Sequence, residues 1–441
     1  MASTRLYSGI VALTAVLVTI SVLAGQERFG SAREPLPPKI TVNLIAFVDT
    51  EARIQLVKPD GTEARMLTPM SGSDQQLFAW PTWSPNSRRL VYTEVKEVPG
   101  SNPLMLLQML DVASGESVVL HSAEAAGIAA GVFHYAMWSP DGKRLAFIAS
   151  QSGNLGLFID TVDDEHAPGR VLENGPLWMS WSSDSQHLLA HRADSHFLLN
   201  ALPAAVEVRS LGIQSAGYRV PAWQPGTSEV TVLAQDQDGG FSLFSAEVTP
   251  DGLSGAEHIA DVDGDATFLW SPDGKRLAVG GPKAGFQYLG LVVGVHSGLT
   301  IYQSGSGEKE PMQVGDAVIS YFWSPDGSKI AYVSPASTNG VLRWTMLDVS
   351  DGSRWPLVDF VPTIDQLTLF QFFDQYAYSH SLWSPDSRSL VFAGRLYDEA
   401  VSASYSSAQT DEQPKIYVMD SDPSPPVRPI AEGTLGIWSP R

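Results

Sequence analysis

The sequence predicts an all-β fold, an eight-bladed β-propeller of four-stranded antiparallel blades, and three observations predict it. A Trp-headed motif recurs along the chain, Ser-Pro turns follow the Trp in most copies and read Ser-Pro-Asp-Gly in three of them, and the two chain ends carry complementary fragments of one further copy. The copies read WSPNSRRLVY at Trp83, WSPDGKRLAF at Trp138, WSSDSQHLLA at Trp181, WQPGTSEVTV at Trp223, WSPDGKRLAV at Trp270, WSPDGSKIAY at Trp323 and WSPDSRSLVF at Trp383, with a truncated WSPR at Trp438. Their intervals of 55, 43, 42, 47, 53, 60 and 55 residues average about 51, the period of a four-stranded propeller blade.

Within each unit, a strand ending in Trp meets a turn in which Pro presets φ, Asp or Ser bonds its own backbone and Gly accepts a left-handed angle. An alternating stretch such as RLAFIAS then makes a second, half-buried strand. Two more strands follow, KIYVMD and PVRPIAEG in the unit of Trp383. A sheet of this size cannot bury its own faces and must stack on neighbours, with the Trp filling the wedge between them.

The first unit has LIAFVD, RIQLVK and ARMLT without a Trp strand, whereas the chain ends in GTLGIWSPR, a Trp strand without successors. Pairing the terminal strands completes one sheet and leaves no open edge. Seven blades, with one Trp unit absorbed as an elaboration, is the alternative count. The units at Trp181 and Trp223, whose turns depart from the pattern, are the weakest copies.

The repeats resemble those of the TolB-like propellers, the family of WD40-like Pro-Asp repeats, whose signature stands nearly verbatim at Trp138, Trp270 and Trp323. The resemblance spans residues 40–441 and implies the propeller fold. The function it implies is broad, because such repeats serve periplasmic binding scaffolds, non-catalytic domains of oligopeptidases and some enzymes. TolB itself resembles a propeller preceded by an α/β domain, whereas here the propeller directly follows a short leading region.

That region begins with Arg5 and the uncharged stretch Leu6 to Gly25. Val22 and Ala24 suit a cleavable signal peptide, and the stretch is also long enough to span a bilayer. Residues 1–25 are therefore a signal peptide or membrane anchor, with membrane contact expected through this segment only. Residues 26–39, with Pro35, Pro37 and Pro38, form an extended linker. The propeller domain, 40–441, is expected to be exported, periplasmic or extracellular, and possible tethering rests on residues 6–25.

Composition narrows the function. With 48 acidic and 28 basic side chains the chain carries −20, which disfavours nucleic acid as a partner. It has no cysteine, so disulfides, Cys-ligated zinc and a cysteine nucleophile are excluded. No Gly-x-Ser-x-Gly elbow occurs. His187, His191 and His196 are read as partly exposed strand histidines, only the first two sharing a face. Asp236 and Asp238, and Asp261, Asp263 and Asp265, lie beside glycines but lack the bidentate Glu of a calcium loop, so they are read as turn chemistry. No metal and no cofactor is expected.

Long insertions mark the face opposite the Ser-Pro-Asp-Gly turns. They are EVKEVPGSNP, residues 121–135, residues 363–380 and residues 395–414. The third concentrates Phe370, Phe372, Phe373, Tyr376 and Tyr378 around Asp374, and the fourth adds Tyr397 and Asp398. Aromatics on loops at a propeller mouth suggest a ligand-binding surface. The same run would also pack as the inner strand of the last blade or as a short plug over the channel. Asp365, Asp374, Asp398, Glu399, Asp411 and Glu412 make the mouth acidic and favour a cationic or basic partner. The function expected is a non-catalytic binding module for a protein or small ligand. The alternative is a propeller enzyme using a metal or carboxylates at the channel mouth, which requires several titratable groups from different blades to converge.

Overall fold

The computed structural model describes residues 43–441 except 69–75, 125–133, 152, 163–168, 176, 194, 202–206, 215–219, 236–238, 250–251, 263–265, 289–290, 306–310, 398–412 and 424–425. The leader and linker, residues 1–39, lie outside the described residues. Among the described residues no helix is long and apolar enough to cross a membrane.

The chain is a β-propeller of four-stranded antiparallel sheets. Every Trp motif but that of Trp383 ends a strand at one side of a sheet, whereas Trp383 joins through a single bridge to Leu390, and successive strands pair as hairpins, as in Gln76–Trp83, Arg89–Lys96, Leu104–Asp111 and Ser117–Glu124. Closure is direct: Leu435–Trp438 pairs antiparallel with Ile45–Val48, with Ile45 opposite Trp438 and Val48 opposite Leu435. Backbone bonds from Trp438 to Ser381 and from Ser439 to Leu44, each 2.8 Å, hold this strand on both sides.

The turns show why their residue types recur. The Ser139 hydroxyl donates to Asp141 at 2.7 Å and accepts from the Arg144 amide at 2.9 Å, while Gly142 at φ 69° donates its amide to the Ser139 carbonyl. Although burial opposes its charge, Asp141 is held below the usual carboxylate range by the Ser139 hydroxyl and Lys143 amide. Ser87, Ser185 and Ser387 take the glycine's place at φ 57°, 63° and 62°. Each of these serines has a hydroxyl that accepts a backbone amide from the preceding sheet: Arg441 at 3.2 Å, Asp141 at 3.0 Å and Asp326 at 3.0 Å. A bond between sheets thus offsets the left-handed strain.

The indoles follow a rule of their own. Each donates to the carbonyl of the residue before the preceding motif's Trp: Trp181 to Met137, Trp223 to Ser180, Trp323 to Leu269, Trp383 to Phe322 and Trp83 to Ile437, at 3.0–3.2 Å. Trp270 uses the Thr231 hydroxyl instead, and Trp438 uses the Asn43 amide oxygen. Trp138 is buried without an acceptor. Its expected acceptor, the Thr82 carbonyl, lies beside a bulge in strand Gln76–Trp83 where Trp80 stands at φ 55°.

Two elements depart from plain hairpin repeats. A hairpin of Lys283–Tyr288 and Leu291–His296 is inserted between the second and third strands of the Trp270 sheet. The segment after Pro362 forms two helices, α1 (Ile364–Gln371) and α2 (Phe373–Tyr376), rather than an inner strand. Strand Arg354–Pro362 then pairs through Phe360, Val361 and Pro362 with Leu396, Arg395 and Gly394, fusing two neighbouring sheets into a seven-stranded one. This close approach demands Gly394, where a Cβ would lie 2.4 Å from the Val361 carbonyl oxygen.

Candidate functional site

Helices α1 and α2 connect the outer strand of one sheet to the inner strand of the next, so they lie on the face opposite the Ser-Pro-Asp-Gly turns. The Thr363 hydroxyl caps α1 by accepting from the Gln366 amide at 3.1 Å. Leu367, Phe370 and Phe373, three residues apart, fall on one inward side and are buried. Gln366 replaces a missing stretch of inner strand, its side-chain oxygen accepting from the Ala393 amide at 2.9 Å.

The helices reach across the ring. Phe370 packs edge-on to Trp344 at 5.4 Å, and Phe373 lies 4.7 Å from Tyr321 and 6.2 Å from His296. On the far side Tyr376 stacks on Trp80 at 4.7 Å with planes 10° apart, and the Tyr135 hydroxyl donates to the Gln375 carbonyl at 2.8 Å. These contacts make the segment a plug over the channel, one of the arrangements the run allowed. Phe370 and Phe373 are buried contacts of the plug, Tyr376 and Tyr378 are partly buried, and Phe372 is 39% exposed.

Tyr376, Tyr378 and Ser379 are partly buried. Burial, and then the charge of Asp374, pushes up the phenol ionisation of Tyr378. Asp374 is buried, and its charge also acts on Tyr135 and Tyr321 from opposite sides of the ring. Burial lowers His380 to about 3, keeping its ring neutral between the Ser379 and Thr82 hydroxyls at 2.8 Å and 3.2 Å. The hydroxyl of Tyr378, the side-chain oxygen of Gln375 and the hydroxyl of Ser320 are buried without partners.

Of the other residues singled out, Tyr397 is half-buried with its hydroxyl 3.4 Å from that of Thr338, and Asp398 lies outside the described residues. So do Asp236, Asp238, Asp263, Asp265, Glu399, Asp411 and Glu412. Asp261 accepts from His258 at 2.6 Å and Ser242 at 3.1 Å. His191 and His196 are buried rather than partly exposed, because hairpin register sets them opposite each other with rings stacked at 4.8 Å. Among the described residues no group of three or more His, Asp or Glu is placed to hold a metal ion.

The plugged face carries another feature that the sequence reading missed. Among the described residues eight large apolar side chains are exposed. Leu77, Leu291, Val292, Ile364, Phe372 and Leu396 lie on connections or strand ends of this face, whereas Val119 and Val208 lie on outer strands.

No family model matches the chain, and no curated protein matches it. Solved structures share the fold. A eukaryotic initiation factor is 13% identical with a TM-score of 0.52, covering 90% of this chain and 98% of that one. The β-propeller domain of the Trilobed protease from Pyrococcus furiosus is 13% identical with a TM-score of 0.46, covering 81% of this chain and 98% of that domain. TolB from Acinetobacter baumannii is 14% identical with a TM-score of 0.37, covering 71% of this chain and 62% of that one. At these identities the likeness is one of fold alone.

Proposed function

We propose that the chain is an exported, eight-bladed, non-catalytic propeller that works as a binding module, recognising a protein or small ligand through its plugged face. The count follows the sheet closed by both termini and the seven units headed by Trp83 through Trp383. Export follows from the apolar stretch Leu6 to Gly25. The observation that carries the binding role is the gathering of six of the eight exposed large apolar side chains on the plugged face. The neutral, buried His380 is consistent with recognition rather than general base chemistry near neutral pH.

The test is capture from the protein's own cell envelope with wild type, an Ile364→Ser/Phe372→Ser variant and a Val119→Ser/Val208→Ser control. The binding role predicts that a companion is recovered with wild type and control but lost with the plug variant, all three melting alike. Equal recovery with the plug variant would remove the role from this face.

A further inference from the structure

The sheets of this chain guard their outer edges, with one exception. The longer outer strands Ser117–Glu124, Gly169–Glu173, Glu207–Gln214, Gly252–Val262 and Val427–Glu432 each carry a Glu, and each pairs with a break in register. Arg65–Met66 and Met312–Val314 are short, and Arg354–Pro362 pairs through its end with the next sheet. Charge, bulges and shortness are devices that keep an edge from pairing with another chain. The hairpin of Lys283–Tyr288 and Leu291–His296 has none of them. Its strands hold no acidic residue, and their register runs unbroken from Lys283 opposite His296 to Tyr288 opposite Leu291.

The phase of the hydrogen bonds shows which edge is open. His296 exchanges both backbone groups with Val318, at 2.7 and 3.0 Å, so the pair of Lys283 and His296 turns its backbone groups outward. Alternation along an antiparallel ladder does the same for Gly285 with Gly294 and for Gln287 with Val292. Val318 thus occupies part of the edge of Leu291–His296. Along Lys283–Tyr288, by contrast, Ala284, Gly285 and Gln287 are exposed, and among the described residues neither Gly285 nor Gln287 makes a backbone bond outside the hairpin. This edge complements itself. A two-fold axis at Gly285 sets Gly285 against its own copy, Ala284 against the second copy's half-buried Phe286 and Lys283 against the second copy's Gln287, so that small meets large and no like charges are opposed. In a chain with 48 acidic side chains, a strand pair without any is also where two copies meet with least repulsion. We propose that a second copy of this chain pairs antiparallel with Lys283–Tyr288, giving a two-fold dimer joined edge to edge. The proposal is independent of the binding role of Ile364 and Phe372.

Sedimentation of the full chain, in a mild detergent that screens the apolar stretch Leu6 to Gly25, tests it. A strand of 6 residues makes a small interface, so the dimer is expected with a dissociation constant on the order of tens of micromolar. Gln287→Lys places like charges opposite each other on both sides of the axis and is expected to weaken the dimer about threefold to tenfold. Gln287→Glu faces the second copy's Lys283 and should tighten it about as much. Gln287→Pro removes an outward amide that the dimer uses and should weaken it more than about tenfold. Gln287 is exposed, and matched melting curves confirm folding. A wild type that stays monomeric up to about 200 µM overturns the proposal. So does a dimer that all three variants leave unchanged, which would place the association elsewhere on the chain. Loss with Gln287→Pro but equal responses to Gln287→Lys and Gln287→Glu would overturn the axis at Gly285. A monomeric wild type whose envelope companion is lost with Gln287→Pro would give the edge to an extended segment of a different protein, against a second copy.

Discussion

The indole nitrogen of Trp83 donates to the carbonyl oxygen of Ile437 at 3.2 Å, joining residues 354 positions apart. Removing the last strand takes away that acceptor, the partner of Ile45–Val48 and the buried Ile437 and Trp438 together. Deleting 436–441 is expected to lower the melting temperature by more than about 10 °C and to promote aggregation through the bared edge. An unchanged thermal transition would contradict this account of closure.

Ser185 gives a sharper test of the bonds between sheets. Ser185→Ala keeps the left-handed strain and loses the bond from the Asp141 amide, so it is expected to cost about 1 kcal/mol. Ser185→Gly loses the same bond but relieves the strain, and is expected to be close to neutral. Chemical denaturation of both variants checks the order; equal losses would deny the strain a role.

Gln366→Leu leaves the buried Ala393 amide without its acceptor. The expected loss is about 1–3 kcal/mol, read as a lower denaturation midpoint. Because α1 carries Ile364, hydrogen exchange in residues 363–380 should also quicken. Unchanged exchange would mean that the helices hold without this anchor.

Acid should loosen the fold. Burial lowers His134 and His380 to about 3, so both are neutral when folded and take up protons only on unfolding as pH falls below the ordinary value of 6.5. Their contribution is fully present above that value and is lost as pH falls toward about 3, by up to about 1.4 kcal/mol per unit for each histidine. His380→Gln should therefore flatten the fall in stability between about pH 6 and pH 4. An identical slope would place the sensitivity in other groups.

What was legible in the sequence was written locally. Ser139-Pro140-Asp141-Gly142 closes its turn with its own side chains, and Trp138 repeats at blade spacing, so turns, sheets and closure could all be read. The plug was harder, because its aromatic run satisfies strand, loop and helix patterns alike. The distinguishing signs were Thr363 three residues before Gln366 and the spacing of Leu367, Phe370 and Phe373. Nothing local announces that Tyr376 meets Trp80, nor that His191 faces His196, since those distances depend on ring diameter and hairpin register. The hairpin Lys283–His296 hid among ordinary apolar alternation.

Asn43 accepts the Trp438 indole hydrogen bond beside the last Ser-Pro turn, so the chain enters the ring on the side away from α1. A support joined directly at Asn43, whether a resin or a fused carrier, would meet the turns first. Ile364 and Phe372 would then point outward, like the upper side of a disc standing on a stalk.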